Sequence, residues 1–494
     1  MQFFDYLVIG AFFLLMVLIG IYSYRKVKNS NDYFVAGGKV PWWLAGISHH
    51  VSGYSGVVFV AFAGIAYTYG FTIYVWWAVS ITIAVISGAF LIAPRWCKLR
   101  QNLNIQSPTE YLQLRYGLST QLVTAFSGSI LKLFDVAAKW ASIGILLNVF
   151  TGLNVLVGAT LSALIALAYT TIGGLWADLY TDFVQFIIQI VAGILMFVMV
   201  VIKLGSIDSI FQMWHKLPPG HAAAFNGPYT FSFFLAYTII SGFSYNGGTW
   251  SLATRYIASP DANSAKKSAL LSGILELIWP LILFFPMWAA PLLLPNLVDP
   301  TESYALMVLK FLPAGLVGLV LAGIFSATLS MVTSDANTIS AVITKDIIPF
   351  ILKKFKNSDV KRELKLARIT TFSFVFLTLI ITAFYKSFGG VIGLIVTWFG
   401  ALVGPTAIPM ILGLIPKFKH SDSKAAITSI VVGVIVFILF KIIQCQQSEA
   451  LIIASPTLAS AMVYLGMGLI NRNKKVPENV ETLLAQLTLK NVND

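Results

Sequence analysis

A run of small hydroxyl residues lies within one long apolar segment of the sequence. Within it, Ala327, Ser330 and Ser334 are spaced so that they share one face of a helix. Oxygen atoms are the ligands that a hard cation such as sodium prefers. Hydroxyls that only pack one helix against another follow the same spacing. The spacing alone leaves both a cation site and ordinary helix packing open.

Charged residues also interrupt apolar segments, where charge is costly and often functional. They are Asp135, Lys139, Glu276 and Asp335. Asp135 and Lys139 are four residues apart, so they can pair on one face of a helix. The pair fits either a structural ion pair or a grip on a polar or zwitterionic solute, and both interpretations remain open.

Two adjacent histidines, His49 and His50, precede a glycine-rich stretch. Histidine titrates near neutral pH, so one of them could carry a proton, but the pattern favours a hydrogen-bonded structural histidine. Neighbouring residues point to different faces of a helix. Because the sequence offers no nucleophile–base set and no metal cluster, we expect no enzyme.

Two apolar segments contain matching interruptions, at 52–56 (Ser-Gly-Tyr-Ser-Gly) and at 241–248 (Ser-Gly-Phe-Ser-Tyr-Asn-Gly-Gly). Glycine weakens a helix, and unwound backbone carbonyls inside a membrane can coordinate a cation. Glycines that permit close helix packing are the alternative. The interruptions lie five segments apart, which favours an inverted repeat with a binding site between its halves.

The elements that must position these residues are membrane spans. Of 494 residues, 57% are hydrophobic and 11% are charged, whereas a soluble domain needs about 25% charged residues. The net charge of +13 does not indicate nucleic-acid binding, because the basic residues lie in clusters between apolar runs. We therefore predict an all-α protein in a lipid bilayer. About thirteen transmembrane helices are expected, at 4–24, 42–69, 70–94, 120–150, 153–171, 178–203, 230–252, 265–295, 314–345, 364–386, 388–415, 424–443 and 449–470.

The basic clusters, one of which includes Arg255, fall in alternate connections. This pattern predicts a plasma-membrane protein with its N-terminus outside and its C-terminus in the cytoplasm. We expect one transporter domain over 1–494. Its predicted parts are an extra N-terminal helix at 4–24, a first five-helix repeat at 42–203, a second, inverted repeat at 230–415, two C-terminal helices at 424–470 and a solvated cytoplasmic tail at 471–494.

Five motifs in order give the chain a family resemblance over about residues 25 to 470. They are 32–38 (Asp-Tyr-Phe-Val-Ala-Gly-Gly) with Pro41-Trp42-Trp43; 108–112 with Arg115-Tyr116-Gly117; 173–176 with Tyr180, Thr181, Asp182 and Gln185; 326–337 with 344–347; and Gly404-Pro405. Together they resemble the sodium/solute symporter family. The resemblance implies the leucine-transporter-type fold, with discontinuous helices and an extra N-terminal helix, and Na⁺ as the coupling ion.

The resemblance also implies ion-binding residues. A main sodium site would join Val51 and Tyr54 at the first interruption to Ala327 and Ser330. The family usually has a second hydroxyl after the first, but Met331 stands there, and a thioether is a poor sodium ligand. A further site found in some members would use Asp182, Thr333 and Ser334.

For the solute, the expected residues are Gly53, Ser55, Trp77, Asp135, Lys139, Asn246 and Thr249. The resemblance places a cationic residue at the position of Asp135 in a family member that carries acid sugars. The reversed charge argues against that way of capturing a carboxylate, but Lys139 lies one turn away and could still bind an anion. Val58 and Trp77 replace polar residues of the family's sugar carriers, so a hexose is not expected.

We therefore predict sodium-coupled uptake of a small polar organic solute into the cell by alternating access. A proton-coupled or uncoupled carrier of the same fold is the alternative, suggested by Met331 and the two histidines. A channel or a membrane sensor fits less well, because no signalling domain follows the last span.

Overall fold

The chain is helical almost throughout, in a computed structural model that describes residues 1–352, 360–442 and 449–488. The first half contains α1 (Phe3–Tyr24), α2 (Ser30–Val35), α3 (Trp42–Val51), α4 (Ala63–Tyr69), α5 (Ser80–Leu91), α6 (Ala93–Leu103), α7 (Tyr111–Tyr116), α8 (Leu118–Thr151), α9 (Val155–Leu204), α10 (Ser209–Gln212), α11 (Phe231–Phe243) and α12 (Ser251–Ile257). The second half contains α13 (Ala262–Leu293), α14 (Ser303–Phe311), α15 (Leu316–Val342), α16 (Ile348–Ile351), α17 (Val360–Ala383), α18 (Gly390–Trp398), α19 (Gly404–Leu412), α20 (Ser423–Ile442), α21 (Glu449–Ile470) and α22 (Glu478–Thr488). Wider, π-helical turns lead into or join some of these helices, at Val58–Phe62, Tyr74–Val79, Ser244–Gly248, Ile343–Ile347 and Phe399–Val403.

Several helices suit a bilayer by length and composition. Among the described residues, seven helical stretches are long and apolar enough to cross a membrane, or eight if the sharply bent pair Leu118–Thr151 and Val155–Ala168 forms one span. Large apolar side chains such as Leu14, Leu161 and Ile278 lie exposed on their outer faces, where lipid would cover them. Other predicted spans are divided into shorter helices, so the total of thirteen stays a prediction.

Both predicted interruptions break a helix. α3 ends at Val51, and helical structure resumes at Gly56. The second break lies between α11 and α12, where Gly247 has a φ of 122° and Trp250 a φ of 59°. A Cβ on Gly247 would lie 2.7 Å from the indole nitrogen of Trp96, so the left-handed backbone and the close contact both favour glycine.

The two spans predicted at 153–171 and 178–203 form one helical run, α9, that is kinked at Gly174. This glycine has a φ of 53°, and a Cβ there would lie 2.5 Å from the backbone oxygen of Tyr33. The kink therefore needs no polar linker, because a single glycine can turn the backbone and let α2 approach. The gap that the hydrophobic pattern predicted between these spans, residues 172–177, contains this kink.

The tail after the last span is not merely solvated chain. Within 471–488 the helix α22 buries Val480, Leu483, Leu484 and Leu487 and packs against α6 and α7. Their spacing places these four side chains on one face of a helix. The predicted tail also includes 489–494, which lie outside the described residues.

At the centre of the bundle, α15 belongs to the most buried of the seven membrane-length stretches. It packs against α1, α8, α9 and α17. Because α15 carries the hydroxyl run from 326 to 334, these polar side chains are held inside the protein.

Candidate functional site

The two broken segments lie against each other. His49, just before the first break, contacts the backbone oxygen of Tyr245 in the second break at 3.2 Å through Nε2. Its Nδ1 lies 2.7 Å from the Ser272 hydroxyl on α13, and Tyr256 on α12 contacts Nε2 at 2.9 Å. His49 is thus a fully hydrogen-bonded brace that joins both breaks to α13.

His50 has a different environment. Its Nδ1 lies 3.3 Å from a carboxylate oxygen of Glu276 on α13. The other carboxylate oxygen accepts a hydrogen bond of 3.2 Å from the Tyr54 hydroxyl. The carboxylate of Glu276, inside the membrane-spanning region, therefore contacts residues on both sides of the start of the first break, His50 and Tyr54.

A cavity opens between the breaks, α8, α15 and α18. It combines apolar walls with a few polar groups, as ligand pockets do. Six of the seven predicted solute residues line it, namely Gly53, Ser55, Trp77, Asp135, Lys139 and Thr249. The remaining lining residues are Ser52, Val57, Val58, Phe62, Ala138, Tyr237, Ser244, Tyr245, Ser251, Leu252, Met331, Ile395 and Trp398.

Asn246, the seventh predicted residue, is not among the lining residues. Its amide nitrogen donates to the backbone oxygens of Ala84 and Gly242, at 3.0 and 2.8 Å. The side chain therefore joins the second break to α5. A Cβ on Gly88 would lie 1.5 Å from its amide oxygen, which shows how closely α5 approaches.

Asp135 and Lys139 belong to a larger charge cluster, which we call the ion ring and which comprises Lys132, Asp135, Lys139 and Asp335. Lys132 Nζ lies 2.5 Å from Asp135 Oδ2 and 3.0 Å from Asp335 Oδ1. Lys139 Nζ lies 2.9 Å from Asp135 Oδ2 and 2.6 Å from Asp335 Oδ2. All four side chains are buried, and the indole of Trp398 lies 4.7 Å from the Lys132 ammonium.

The ion ring contains two positive and two negative side chains, so it is balanced. Helical spacing in the sequence predicted only the pair of Asp135 and Lys139. Lys132 was not among the predicted residues, although it lies three residues before Asp135 and so on the same face of the helix. Asp335 was recognised as an intramembrane charge, but its partners on α8 depend on how the helices pack.

The predicted residues of the further sodium site belong to a second cluster, which we call the acidic network. Asp178 and Asp182, one turn apart on α9, both contact the Arg255 guanidinium, at 2.7 and 3.2 Å. Thr333 and Ser334 on α15 donate to the two oxygens of Asp178, at 2.6 and 2.8 Å. Asp182 accepts from the Ser330 hydroxyl at 2.5 Å and from the Ser48 hydroxyl.

Arg255 corrects one sequence inference, which counted it among the basic residues of a connection. The structure buries it fully on α12, where it also donates to Ser48 at 2.9 Å. A count of basic residues cannot separate a topological charge from one that turns back into the bundle. Asp178 was also missed, although it precedes Asp182 by four residues on the same helix face.

The first break, which follows Val51 and contains Tyr54, packs against α15, the helix that carries Ala327 and Ser330. Gly56, where the helix resumes, donates its N–H to the Thr328 hydroxyl at 2.8 Å, and the Ser52 and Ser334 hydroxyls are 3.2 Å apart. These contacts bring the first break against the stretch of α15 from 328 to 334, and the main sodium site of Val51, Tyr54, Ala327 and Ser330 stays a prediction. Ser330 also bonds to Asp182, so it lies between both predicted ion sites.

The sodium:solute symporter family model matches residues 33–433. The chain belongs to this family. As a member of the sodium:solute symporter family it is an integral membrane transporter rather than an enzyme, and Na⁺ is the coupling ion.

Similar symporters come from several bacteria. The sodium/sialic acid symporter NanT of Aliivibrio fischeri is 27% identical over 382 residues, 74% of each chain. The sodium/sialic acid symporter SiaT of Proteus mirabilis is 27% identical over 458 residues, 88% of each chain. The sodium/glucose cotransporter of Vibrio parahaemolyticus is 24% identical over 472 residues, 88% of this chain and 84% of that one.

The fold is that of solved transporters. A substrate-bound, outward-open structure of a Na⁺-coupled sialic acid symporter aligns with a TM-score of 0.82, covering 96% of this chain and 98% of that one at 22% identity. The nucleobase-cation symporter Mhp1 in a closed conformation aligns with a TM-score of 0.59 at 14% identity, covering 93% and 99% of the two chains. These alignments confirm the predicted leucine-transporter-type architecture.

Proposed function

We propose that this symporter imports a small polar organic solute together with sodium, by alternating access of the central cavity. In this proposal the repeats at 42–203 and 230–415 move relative to each other around the two breaks. The N-terminus lies outside and the C-terminus in the cytoplasm, which the distribution of basic residues supports. The solute enters between the breaks, α8 and α18.

The observation that carries the proposal is the excess negative charge of the acidic network. Two buried carboxylates, Asp178 and Asp182, face one guanidinium, that of Arg255. A buried charge without compensation is unstable, so the network favours a bound cation. The hydroxyls of Ser330, Thr333 and Ser334 surround it and supply oxygen ligands for sodium.

The position of the network explains how the ion and the solute can depend on each other. Ser330 contacts the network, and Met331, the next residue, lines the cavity. Ser52 lines the cavity and contacts Ser334 at 3.2 Å. A sodium ion that orders these side chains would therefore also shape the solute pocket.

The test is thermal stabilisation of the purified protein across a library of small solutes, with sodium chloride or potassium chloride at equal ionic strength. Ligand binding raises the unfolding temperature according to the ratio of concentration to dissociation constant. We expect a solute that stabilises only in sodium, and its uptake into proteoliposomes should require an inward sodium gradient. Equal stabilisation in potassium, with uptake driven by a proton gradient, would overturn the proposal.

A further inference from the structure

Resting on the proposed function, we infer that the transported solute is a compact zwitterion without net charge, whose ammonium meets Asp135 and whose carboxylate meets Lys139. The relatives named above that carry sialic acid transport an acid. The charge arrangement of this cavity fits a different class of solute, one that resembles an apolar amino acid.

The charges of the ion ring balance one another. Each of the two lysines contacts both aspartates at 3.0 Å or less. The four buried side chains therefore neutralise one another. A solute with a net charge would add an uncompensated charge to a region shielded from water, which is costly. A zwitterion adds none.

The ion ring leaves part of its hydrogen-bonding capacity unused. Both lysines contact Asp135 through Oδ2, so neither occupies its Oδ1. The Lys139 ammonium has three N–H groups and makes two carboxylate contacts within the ring. One carboxylate oxygen and one N–H thus remain for a ligand, and they belong to the two ring members that line the cavity.

The geometry of these two groups suits a ligand that carries both charges close together. Asp135 and Lys139 lie one turn apart on α8, with 2.9 Å between their bonded atoms. The ammonium and carboxylate of one amino acid have a similarly short separation, so both can be bound at once. A lone cationic side chain at this point would instead select an anion.

The other residues that line the cavity indicate which side chain the solute carries. Val58, Phe62, Trp77, Leu252 and Ile395 all line the cavity. These side chains provide apolar walls and favour an apolar group on the solute. The structure thus favours an amino acid with an aliphatic or aromatic side chain over a polyhydroxylated sugar.

The experiment compares solutes of matched shape and different charge. Thermal stabilisation in sodium is measured with L-leucine and L-phenylalanine, which are zwitterions. The N-acetyl derivatives provide the anions, the amides provide the cations, and sialic acid is included. We expect the zwitterions to bind at least about tenfold more tightly than their charged derivatives.

Variants of the ring add an internal control. Asp135→Asn gives the ring a positive charge and should shift the preference towards N-acetyl-leucine, whereas Lys139→Gln should shift it towards leucinamide. The double variant restores neutrality and should prefer neither charged derivative. If a single variant fails to fold, the charge preference of the unaltered protein still decides the inference.

Two failures have different meanings. If sialic acid or an N-acetylated anion stabilises the unaltered protein in sodium and the zwitterions do not, the inferred solute class is wrong while sodium-coupled transport stands. If sodium alone gives no stabilisation over potassium and no probe binds in a sodium-dependent way, the proposed function fails, and this inference fails with it.

Discussion

The ion ring and the acidic network are both buried and both reach α15, but their charges differ. The ring pairs two lysines with two aspartates, and each lysine contacts both acids. The network sets two aspartates against one arginine and surrounds them with hydroxyls. The ring is electrically complete by itself, whereas the network gains from an additional cation.

This difference separates two tasks within one bundle. A balanced cluster can face a cavity without drawing in a free ion, and it can still offer single atoms to a neutral solute. An unbalanced cluster attracts a cation but would be unstable when empty. Ser330 and Met331 are adjacent on α15 and face the two regions separately, Ser330 towards the network and Met331 towards the cavity.

The largest effect is expected from Arg255→Met, which leaves both network carboxylates without their partner. Breaking a buried ion pair costs about 3–5 kcal/mol, and the variant should unfold at a much lower temperature. Sodium should recover more of that stability than potassium, because it can replace the missing charge. Thermal unfolding in each salt measures this, with Arg472→Met, an exposed position, as the control. Equal unfolding temperatures for Arg255→Met and the unaltered protein would contradict the assigned role.

Asp182→Asn should remove the charge excess and with it most of the sodium dependence. We expect sodium affinity to fall by about a hundredfold, because the loss of one carboxylate charge from a buried ionic cluster costs about 3 kcal/mol. Sodium titrations of thermal stability at constant ionic strength provide the measurement.

Two variants make the Asp182 comparison sharper. Asp208→Asn changes an exposed aspartate and should leave sodium affinity as it is. Asp335→Asn disturbs the ion ring and should lower stability without a comparable loss of sodium affinity. If Asp335→Asn weakened sodium binding as much as Asp182→Asn, the two clusters would not have separate tasks.

Ser330→Ala should have a smaller effect, because it removes one hydroxyl and no charge. A hydrogen bond to a charged group contributes about 1.5 kcal/mol, so sodium affinity should fall by about tenfold. The matched control is Ser326→Ala, one turn earlier on α15, whose hydroxyl donates to the backbone oxygen of Ala322. The same sodium titration measures both variants. Similar sodium affinities for Ser330→Ala and Ser326→Ala would show that Ser330 is not a sodium ligand.

The smallest effect is expected from Met331→Ser, which supplies the second hydroxyl that the family pattern has at this position. Sodium should then bind a few-fold more tightly, in line with about 1 kcal/mol for one added oxygen contact. Met331→Leu keeps the bulk without an oxygen and should bind sodium like the unaltered protein. An unchanged or weaker sodium affinity in Met331→Ser would mean that residue 331 serves only the cavity.

The sequence predicted the features that depend on local composition. The breaks at 52–56 and 241–248 follow from glycine and hydroxyl residues in apolar runs. The pairing of Asp135 with Lys139 follows from helical spacing. Features that depend on packing between distant segments were incomplete. Asp335 closes the ion ring only because α15 lies against α8 at one particular register, and no local pattern specifies that register.

Two residues show how a sound rule can mislead. Arg255 follows an apolar span closely, so the charge rule assigned it to a connection, but its long side chain reaches two aspartates on α9. Asn246 sits in the second break and was expected near the solute. Its amide nitrogen instead donates to the backbone oxygen of Ala84 on α5, because Gly88 has no side chain and lets that helix approach closely.

The helix α22 has a practical consequence for anyone who shortens this protein. Its four buried side chains each contribute about 1.5–3 kcal/mol by leaving water, and they cover α6 and α7. Asn102 and Asn479 also bond across that junction. A truncation after residue 470 would expose the apolar surfaces of α6 and α7 that α22 covers, and we expect the shortened protein to aggregate in detergent. A purification tag is better attached after residue 488, through a flexible spacer.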